Sequence, residues 1–250
     1  MSSARDAGTG DRAKLKSKVW SLRSRWPQTS FLAGLEEDIL AALVDSSESV
    51  RFDRDDVLVA EGAVGSDVFL LLTSYVKVTT LLPNGSRALL AVRVGGDLVG
   101  ELAALDNGRR TGTVIACGVE PVDTLRIDAE LFLRALSTSP KAMLGLSESV
   151  ARKLRSATQR RIDHQGGHAS VRLARVLVEM ADDHGATTYR DNVVIGIDVT
   201  RLEWGSLIGV SKRTAERAIA TLRDNKLIGS GMKRITIHDM EGLRALANSE

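Results

Sequence analysis

TRLEWGSLIGVSKRTAERAIATLRDNKL, residues 200–227, is the stretch with the most specific structural pattern in this chain. Thr200 is followed three residues later by Glu203, and this spacing is that of a capping box, so a helix is expected to begin directly after Thr200. Gly209 is expected to end that helix and to supply a tight turn. Ser211 then caps a second helix, because a serine hydroxyl can accept a hydrogen bond from a free amide of the first turn. The stretch therefore predicts two short helices joined by a glycine turn.

The second of these helices has an apolar side and a basic side. Its apolar residues have the spacing of a single core-facing stripe: Ala215, Ala218, Ile219 and Leu222. The opposite side carries Lys212, Arg213, Glu216 and Arg217. A basic second helix after a tight turn is what a DNA-binding helix-turn-helix requires. Guanine presents two acceptors in the major groove and the phosphates present negative charge, so lysine and arginine suit both targets.

By chemistry and position, eight residues are candidates for DNA contact: Thr200, Arg201, Ser211, Lys212, Arg213, Thr214, Arg217 and Lys233. Short hydroxyl side chains suit phosphate contacts, which fix the register of the protein on the duplex. Residues 229–237 predict a wing-like hairpin with Lys233 near its tip. A solvated basic helix on a generic helical domain is the alternative. It is the weaker interpretation because two caps, a turn, a stripe and a basic face coincide here.

The chain before residue 135 has a different pattern. Six short runs favour β-strands: Val57–Val59, Val68–Leu72, Val76–Leu82, Ala88–Val94, Thr113–Ala116 and Val122–Ile127. The breaks between them hold glycine, proline and asparagine, as turns do. Short strands at this spacing predict a sandwich or barrel, and a jelly roll is the most economical closed form. We place this domain at residues 30–135.

Residues 139–165 predict one long helix between the two halves of the chain. Its apolar residues recur at alternating steps of three and four: Met143, Leu146, Val150, Leu154 and Ala157. Such a seam is typical of a dimerisation helix, although a core helix of a single domain has the same periodicity. We place this helix at residues 136–166, ended by the glycine pair Gly166-Gly167. A winged helix-turn-helix domain is then expected over residues 167–250, and the fold class is α+β.

Bulk properties exclude several classes of function. Residues 1–29 are polar and basic, which favours a disordered solvated arm over one that touches DNA phosphates. Cys117 is the only cysteine, so an intramolecular disulfide and a cysteine-rich metal site are excluded. The four histidines lack a convincing ligand spacing, so no metal is expected. No apolar run reaches the length of a membrane span, which predicts a cytoplasmic protein without a membrane partner.

The segment GELAALDNGRRT, residues 100–111, places a carboxylate after a glycine and ahead of two arginines and a threonine. A phosphate diester needs a fixed cation and hydroxyl or amide donors, and a ribose hydroxyl needs a carboxylate acceptor. Both requirements are met within this cassette. An ordinary surface turn with a glutamate–arginine pair is an equally good account of the cassette taken alone.

The order of the parts favours the ligand-binding interpretation. A β-rich domain with this cassette, a long helix and a terminal helix-turn-helix resembles the Crp/Fnr superfamily of cyclic-nucleotide-type transcription regulators over about residues 30–240. The resemblance implies that Gly100 and Glu101 meet a ribose, while Arg110 and Thr111 hold a cyclic phosphate. Leu102 belongs to the same cassette and is included in the expected effector site.

The sequence departs from the family pattern at two places, one expected to contact the effector and one expected to contact DNA. Cyclic AMP receptors contact adenine through two consecutive hydroxyl residues of the long helix, and the matching pair here is Ala157-Thr158. One donor is therefore missing, and Thr158 alone is expected to contact the effector. The implied effector is cyclic AMP or a related cyclic mono- or dinucleotide. In the recognition helix, Arg213 stands where the family pattern has glutamate, so a different DNA site is expected.

Together these features predict a homodimeric DNA-binding transcription regulator rather than an enzyme. Its partners are expected to be a palindromic duplex, a second copy of the chain and RNA polymerase. Two alternatives remain open. One is a ligand-independent DNA-binding regulator with a vestigial pocket. The other is a cyclic-nucleotide-binding regulatory subunit of a signalling enzyme, which the helix-turn-helix argues against.

Overall fold

The structure, a computed structural model, describes residues 3–183, 187–189, 192–231 and 234–249. Within these ranges, the N-terminal half contains helices and strands in this order: α1 (Ser3–Arg23), α2 (Glu37–Asp45), β1 (Glu48–Phe52), β2 (Val57–Val59), β3 (Val68–Leu71), β4 (Tyr75–Leu81), β5 (Arg87–Val94), β6 (Leu98–Val99), α3 (Glu101–Asp106), β7 (Thr113–Ala116), β8 (Val122–Ile127) and α4 (Ala129–Ser137). The remainder follows as α5 (Pro140–Asp163), α6 (Ala169–Asp183), β9 (Thr187–Tyr189), β10 (Asn192–Ile195), α7 (Arg201–Leu207), α8 (Lys212–Asp224), β11 (Ile228–Gly231), β12 (Arg234–Ile237) and α9 (Met240–Ala247).

Strands β1–β8 form two antiparallel four-stranded sheets, ordered β1-β8-β3-β6 and β2-β7-β4-β5. All four residues of β3 are buried because both faces of this strand are covered. Phe69 and Leu71 belong to the core between the sheets, whereas Val68 and Leu70 belong to a cluster with the flanking helices. Alternate residues of a strand point to opposite faces, so one apolar run serves two cores. The predicted β sandwich of jelly-roll type is confirmed.

The N-terminal arm differs from the expected disordered tail. Helix α1 packs on the jelly-roll domain, and Val19 at its inner side is fully buried. Lys18 Nζ lies 2.9 Å from Asp123 Oδ2, and Lys16 Nζ lies 2.7 Å from Asp45 Oδ2. The polar composition of this segment conceals a few apolar residues, including Val19, that pack into the core formed with the flanking helices. At least part of the basic charge is therefore paired with acidic residues of the same chain.

The long helix is confirmed, but its apolar seam serves two purposes. Ser139 Oγ accepts the amide of Ala142 at 3.1 Å and Pro140 occupies the first turn, so the helix begins at Pro140, within the 136–166 unit and next to the start of the 139–165 pattern. Leu146 is buried in the core of its own domain. Leu154, two turns further on, is 67% exposed. The seam of α5 therefore buries Leu146 within the domain and leaves Leu154 available to a partner.

The C-terminal domain is built around a core formed by α6–α9 and the sheet β11-β12-β10-β9. Helices α7 and α8 form the expected helix-turn-helix, and β11 and β12 form the expected hairpin after it. Gly209, at a φ of 68°, makes the turn between the two helices. Leu89 and Val92 of β5 belong to the same apolar core as Trp204 of α7. The C-terminal domain is thus packed directly against the jelly-roll domain.

Candidate effector cavity and DNA-binding face

Gly100 begins the cassette with a backbone conformation that favours glycine. Its φ is 89°, and it stands at the N-cap of α3. A Cβ atom built there would lie 2.6 Å from Arg110 Nη1 and 2.7 Å from the carbonyl oxygen of Asp67. The absence of a side chain is therefore what lets the Arg110 guanidinium approach the backbone at this point.

Arg110 is a buried cation, with 8% of its surface exposed. Its guanidinium donates to the carbonyl oxygens of Gly100 at 3.0 Å and Asp67 at 2.8 Å. Burial lowers the pKa of Arg110, while the negative charges of Asp67 and Glu101 raise it. The hydrogen bonds shown in the described part of the chain go to carbonyls, so they orient the guanidinium without neutralising its charge. This arrangement preserves a fixed cation for an anionic ligand.

Glu101 is 5% exposed and is paired with a lysine that the sequence interpretation missed. Lys153 Nζ of α5 lies 3.1 Å from Glu101 Oε1 and donates to the carbonyl oxygen of Leu98 at 2.7 Å. The same ammonium group lies 3.5 Å from Asp97 Oδ1. Spacing indicates only that Lys153 shares a face of α5 with Val150 and Ala157. The pairing itself depends on how α5 crosses β6, which one sequence does not show.

These residues line one cavity of about 400 Å³ between the jelly roll and α5. The cassette contributes six of the lining residues: Gly100, Glu101, Leu102, Ala103, Arg110 and Thr111. Three cations not assigned from the sequence also line it: Arg93, Lys153 and Arg160. The α5 side is otherwise apolar, with Val150, Leu154 and Ala157. Thr158 lies on the exposed side of α5, outside the residues that line this cavity.

The DNA-binding face is organised by two caps. Thr200 Oγ1 accepts the amide of Glu203 at 3.2 Å, and Glu203 Oε2 accepts the amide of Thr200 at 2.7 Å, which completes the predicted capping box. Ser211 Oγ accepts the amide of Thr214 at 3.2 Å. The hydroxyls of Thr200 and Ser211 therefore already have helix-capping roles. Arg201 is half-buried at the start of α7.

The basic side of α8 is open to solvent. Arg213 and Arg217 are exposed, while Ala215 and Leu222 on the opposite side are fully buried. Lys212 is also exposed, with its Nζ 4.0 Å from Glu216 Oε1. The structure thus brings Lys212, Arg213 and Arg217 together on one accessible surface. Lys233 lies outside the described residues.

One histidine lies beside the turn of the helix-turn-helix, and the described residues form neither a metal site nor a membrane-spanning helix. His164, at the end of α5, has Nε2 3.2 Å from the carbonyl oxygen of Leu207 and packs beside Gly209. Across the described ranges, no group of three or more His, Cys, Asp or Glu side chains is arranged to hold a metal ion. Among the described helices, none combines the length and apolar character needed to cross a bilayer.

Family comparisons match both halves of the chain. A model described as "Cyclic nucleotide-binding domain" matches residues 49–139, and one described as "Crp-like helix-turn-helix domain" matches residues 171–246. A "CRP-like cAMP-activated global transcriptional regulator" from Mycobacterium tuberculosis is 27% identical over 210 residues, covering 84% of this chain and 92% of that protein. The "cAMP-activated global transcriptional regulator CRP" of Salmonella typhimurium is 23% identical over 188 residues, covering 75% and 88%.

Solved structures share the fold. FixK2 from Bradyrhizobium japonicum aligns with a TM-score of 0.67 at 20% identity, covering 82% of this chain and 98% of that one. A CRP-family transcriptional regulator from Thermus thermophilus aligns with a TM-score of 0.64 at 24% identity, covering 80% and 97%. The two matched domains occur in the order expected from the sequence, with the long helix between them. The chain belongs to the Crp/Fnr superfamily of transcription regulators.

Proposed function

We propose that this regulator binds DNA as a homodimer and that a nucleotide-like effector in the jelly-roll cavity controls that binding. The observation that carries the effector proposal is Arg110, a buried guanidinium held by backbone carbonyls at the wall of the cavity. Burying a charge without a compensating partner is costly, so an anionic ligand at this position would be stabilised. Thr111 lies next to it in the lining and suits the same phosphate.

The rest of the cavity suits a nucleoside. Glu101 would accept a ribose hydroxyl beside Gly100, and Leu102 would pack on the sugar or base. Lys153 would remain close to that carboxylate and hold α5 over the site. The relatives named above as cAMP-activated make cyclic AMP a natural candidate, and a related cyclic mono- or dinucleotide is equally compatible with the charges present.

A dimer would complete the cavity. Three large apolar side chains of α5 are more than half exposed: Leu144, Leu154 and Ile162. Leu154 also lines the effector cavity, so the same side chain would face both the ligand and a second α5. Thr158 lies on the exposed side of this helix, where the partner subunit's cavity is a better target for it than its own. Ligand binding would then favour one packing of the two helices over another.

The paired helix-turn-helix units would read a palindromic duplex. Lys212, Arg213 and Arg217 would contact base edges and phosphates, with Thr214 and Arg201 close to the backbone. The capping hydroxyls of Thr200 and Ser211 would position these side chains, and Lys233 would add a phosphate contact from the wing. Contact with RNA polymerase and a cytoplasmic location follow from this role as proposals.

The proposed units are an N-terminal segment at 1–29, the sensor at 30–135, the dimerisation helix at 136–166 and the DNA-binding domain at 167–250. The role is regulatory rather than enzymatic, and the DNA-binding domain disfavours a regulatory subunit of a signalling enzyme. The alternative is a ligand-independent regulator with a vestigial cavity. It has one observation in its favour, because Glu101 is already paired with Lys153.

A thermal-shift screen of the purified protein against cyclic mono- and dinucleotides distinguishes an effector-binding cavity from a vestigial one. Binding to the native state alone raises the melting temperature, and by mass action the shift grows with ligand concentration. We expect one class of nucleotide to stabilise the protein. The absence of any shift across the panel would favour the vestigial cavity.

A further inference from the structure

A second, smaller cleft adjoins the effector cavity and shares Arg93 and Lys153 with its lining, but the proposed function does not use it as a binding site. Its volume is about 60 Å³, and it lies where β5, α5, α6 and the segment before α2 meet. Nine of its ten lining residues have polar side chains, and the full lining is Thr29, Ser30, Arg93, Val94, Asp97, Ser149, Arg152, Lys153, Ser156 and Glu179. A space of this size exceeds that needed for one water molecule, and it is too small for a nucleoside.

Three side chains that line this cleft have polar groups without a hydrogen-bond partner among the described residues. Ser30 Oγ is buried and has no hydrogen-bond partner among the described residues. Ser149 is 3% exposed, and within the described ranges its hydroxyl makes no hydrogen bond. Arg152 is half-buried and has no ion-pair or hydrogen-bond partner in the same part of the chain. Buried polar groups are almost always satisfied, so the orphaned Ser30 hydroxyl indicates a ligand that accepts hydrogen bonds, and Ser149 and Arg152 are further donors beside it.

The charges favour an anion. Arg93, Arg152 and Lys153 line the cleft, against two carboxylates, Asp97 and Glu179. Asp97 Oδ2 lies 3.5 Å from Arg93 Nε, and Asp97 Oδ1 lies 3.5 Å from Lys153 Nζ. The Glu179 carboxylate accepts from Ser156 and lies 3.7 Å from the guanidinium of Arg160. Both carboxylates are therefore engaged by other groups, and among the described lining residues Arg152 remains as the unneutralised cation.

We propose that this cleft is a binding site for a compact tetrahedral oxyanion, such as inorganic phosphate or the phosphate of a small monoester. Arg152 would supply the charge-assisted hydrogen bonds, and Ser30 and Ser149 would donate their hydroxyl protons. The site joins the sensor domain through Arg93 to the first helix of the DNA-binding domain through Glu179. An anion bound there would stabilise the docked arrangement of the two domains.

Calorimetry with inorganic phosphate on the full chain tests this proposal, with chloride at matched ionic strength as the reference. We expect saturable binding of one phosphate per chain in the parent. Because a charge-assisted contact is lost, Arg152→Gln should weaken that binding by at least about tenfold. Ser149→Ala removes one oxygen atom and should weaken it by a smaller factor. Arg155→Gln, at an exposed position of the same helix, is the matched control and should bind as the parent does.

Arg110→Ala distinguishes the two cavities. If phosphate occupies the small cleft, this variant should retain parental phosphate affinity even though effector binding is lost. The proposal is overturned if the parent shows no saturable phosphate binding. It is also overturned if Arg110→Ala abolishes phosphate binding while Arg152→Gln and Ser149→Ala leave it unchanged, since phosphate would then occupy the effector cavity. The proposed nucleotide site is tested separately by the thermal-shift screen, so its failure is distinguishable from failure of the phosphate site.

Discussion

Lys77 Nζ lies 2.7 Å from Glu203 Oε1, and this ion pair connects β4 of the sensor to the first helix of the helix-turn-helix. The Glu203 carboxylate also accepts the amide of Thr200, so one side chain caps the helix and attaches it to the sensor. Nearby, Ser206 Oγ accepts the amide of Leu89 at 2.7 Å. The docked position of the DNA-binding domain therefore depends on specific polar contacts as well as on apolar packing.

Removing Lys77 should destabilise the docked arrangement. Both side chains of the pair are 12% exposed, and loss of one partner leaves a buried charge without compensation. We expect Lys77→Met to lower the free energy of unfolding by about 3–5 kcal/mol, measured by urea denaturation. Arg134→Ala is the control, because its ion pair with Glu130 is exposed and such pairs contribute about 0.5 kcal/mol or less. Equal effects of the two substitutions would show that the inter-domain pair contributes nothing specific.

Arg110→Ala should remove effector binding while the fold remains intact. A charge-assisted contact contributes about 1.5–3 kcal/mol, so affinity for the nucleotide found in the screen should fall at least roughly tenfold. Titration calorimetry measures this directly. Arg109→Ala is the neighbouring control, since Arg109 is exposed and its Nη1 donates to the carbonyl oxygen of Gly62 at 2.8 Å. Unchanged affinity in Arg110→Ala would assign this arginine a purely structural role.

Leu154→Asp should weaken the proposed dimer. The residue is 67% exposed on α5, so the isolated subunit tolerates a polar side chain there. In a helix-to-helix contact the new carboxylate would be buried, at a cost that shifts the equilibrium toward monomer. Analytical ultracentrifugation should show this shift together with weaker DNA binding. Leu81→Asp, at another exposed apolar position, should remain dimeric. A dimeric Leu154→Asp protein would place the interface elsewhere.

Arg213 and Arg217 should read bases. They lie four residues apart on the exposed side of α8, which places them on the same face. Loss of one bidentate contact to guanine costs about 1–3 kcal/mol and relaxes preference at one base pair of each half-site. Site selection with the parent, Arg213→Ala and Arg217→Ala proteins measures that preference, and Arg223→Ala in the last turn is the control. Undiminished base preference in Arg213→Ala would reduce this residue to a phosphate contact.

Lys233, at the predicted wing, should contact a phosphate and not a base. Loss of a lysine that meets a phosphate weakens binding to all sequences alike and reduces the salt dependence. We expect Lys233→Ala to show that behaviour in anisotropy titrations at several salt concentrations. A change in preferred sequence, with an unchanged salt slope, would instead place Lys233 at a base edge.

The Cys117 thiol should react only slowly with thiol reagents in the native protein. The thiol is fully buried, and burial raises its pKa to about 12 from an ordinary value of 9.0. Because the pKa of the thiol is higher in the folded state, the unfolded chain loses the thiol proton first as pH rises. The contribution of the thiol to the free energy of unfolding therefore keeps its full value below pH 9 and decreases as pH rises toward 12. A disulfide reagent at a pH of about 8 should modify the native protein far more slowly than the urea-unfolded chain, because the thiolate is the reactive form. Equal rates would show that the thiol is accessible in the native state.

Local sequence signals predicted the C-terminal half well. The capping box at Thr200 and the cap at Ser211 depend on neighbours within one turn, so they can be recognised from spacing alone. The turn at Gly209 is predictable for the same reason. Such features survive because tertiary packing supports the local preference instead of opposing it.

Long-range pairings could not be predicted in this way. The periodicity of α5 does not distinguish Leu146, which faces its own domain, from Leu154, which is exposed. The contact between Lys153 and Glu101 joins residues 52 positions apart, and no local pattern encodes it. Composition was misleading for residues 1–29, because Lys16 and Lys18 are paired with acidic residues far along the chain. These contacts follow from how the elements pack.

The affinity for a selected palindromic duplex, with and without the nucleotide that stabilises the protein, tests the central claim most directly. Fluorescence anisotropy on the parent and on Arg110→Ala is sufficient. We expect the nucleotide to change the parent's affinity by about 5–150-fold, the usual range of allosteric coupling, and to leave Arg110→Ala unchanged. Equal parental affinity in the presence and absence of the bound nucleotide would contradict control of DNA binding through this cavity.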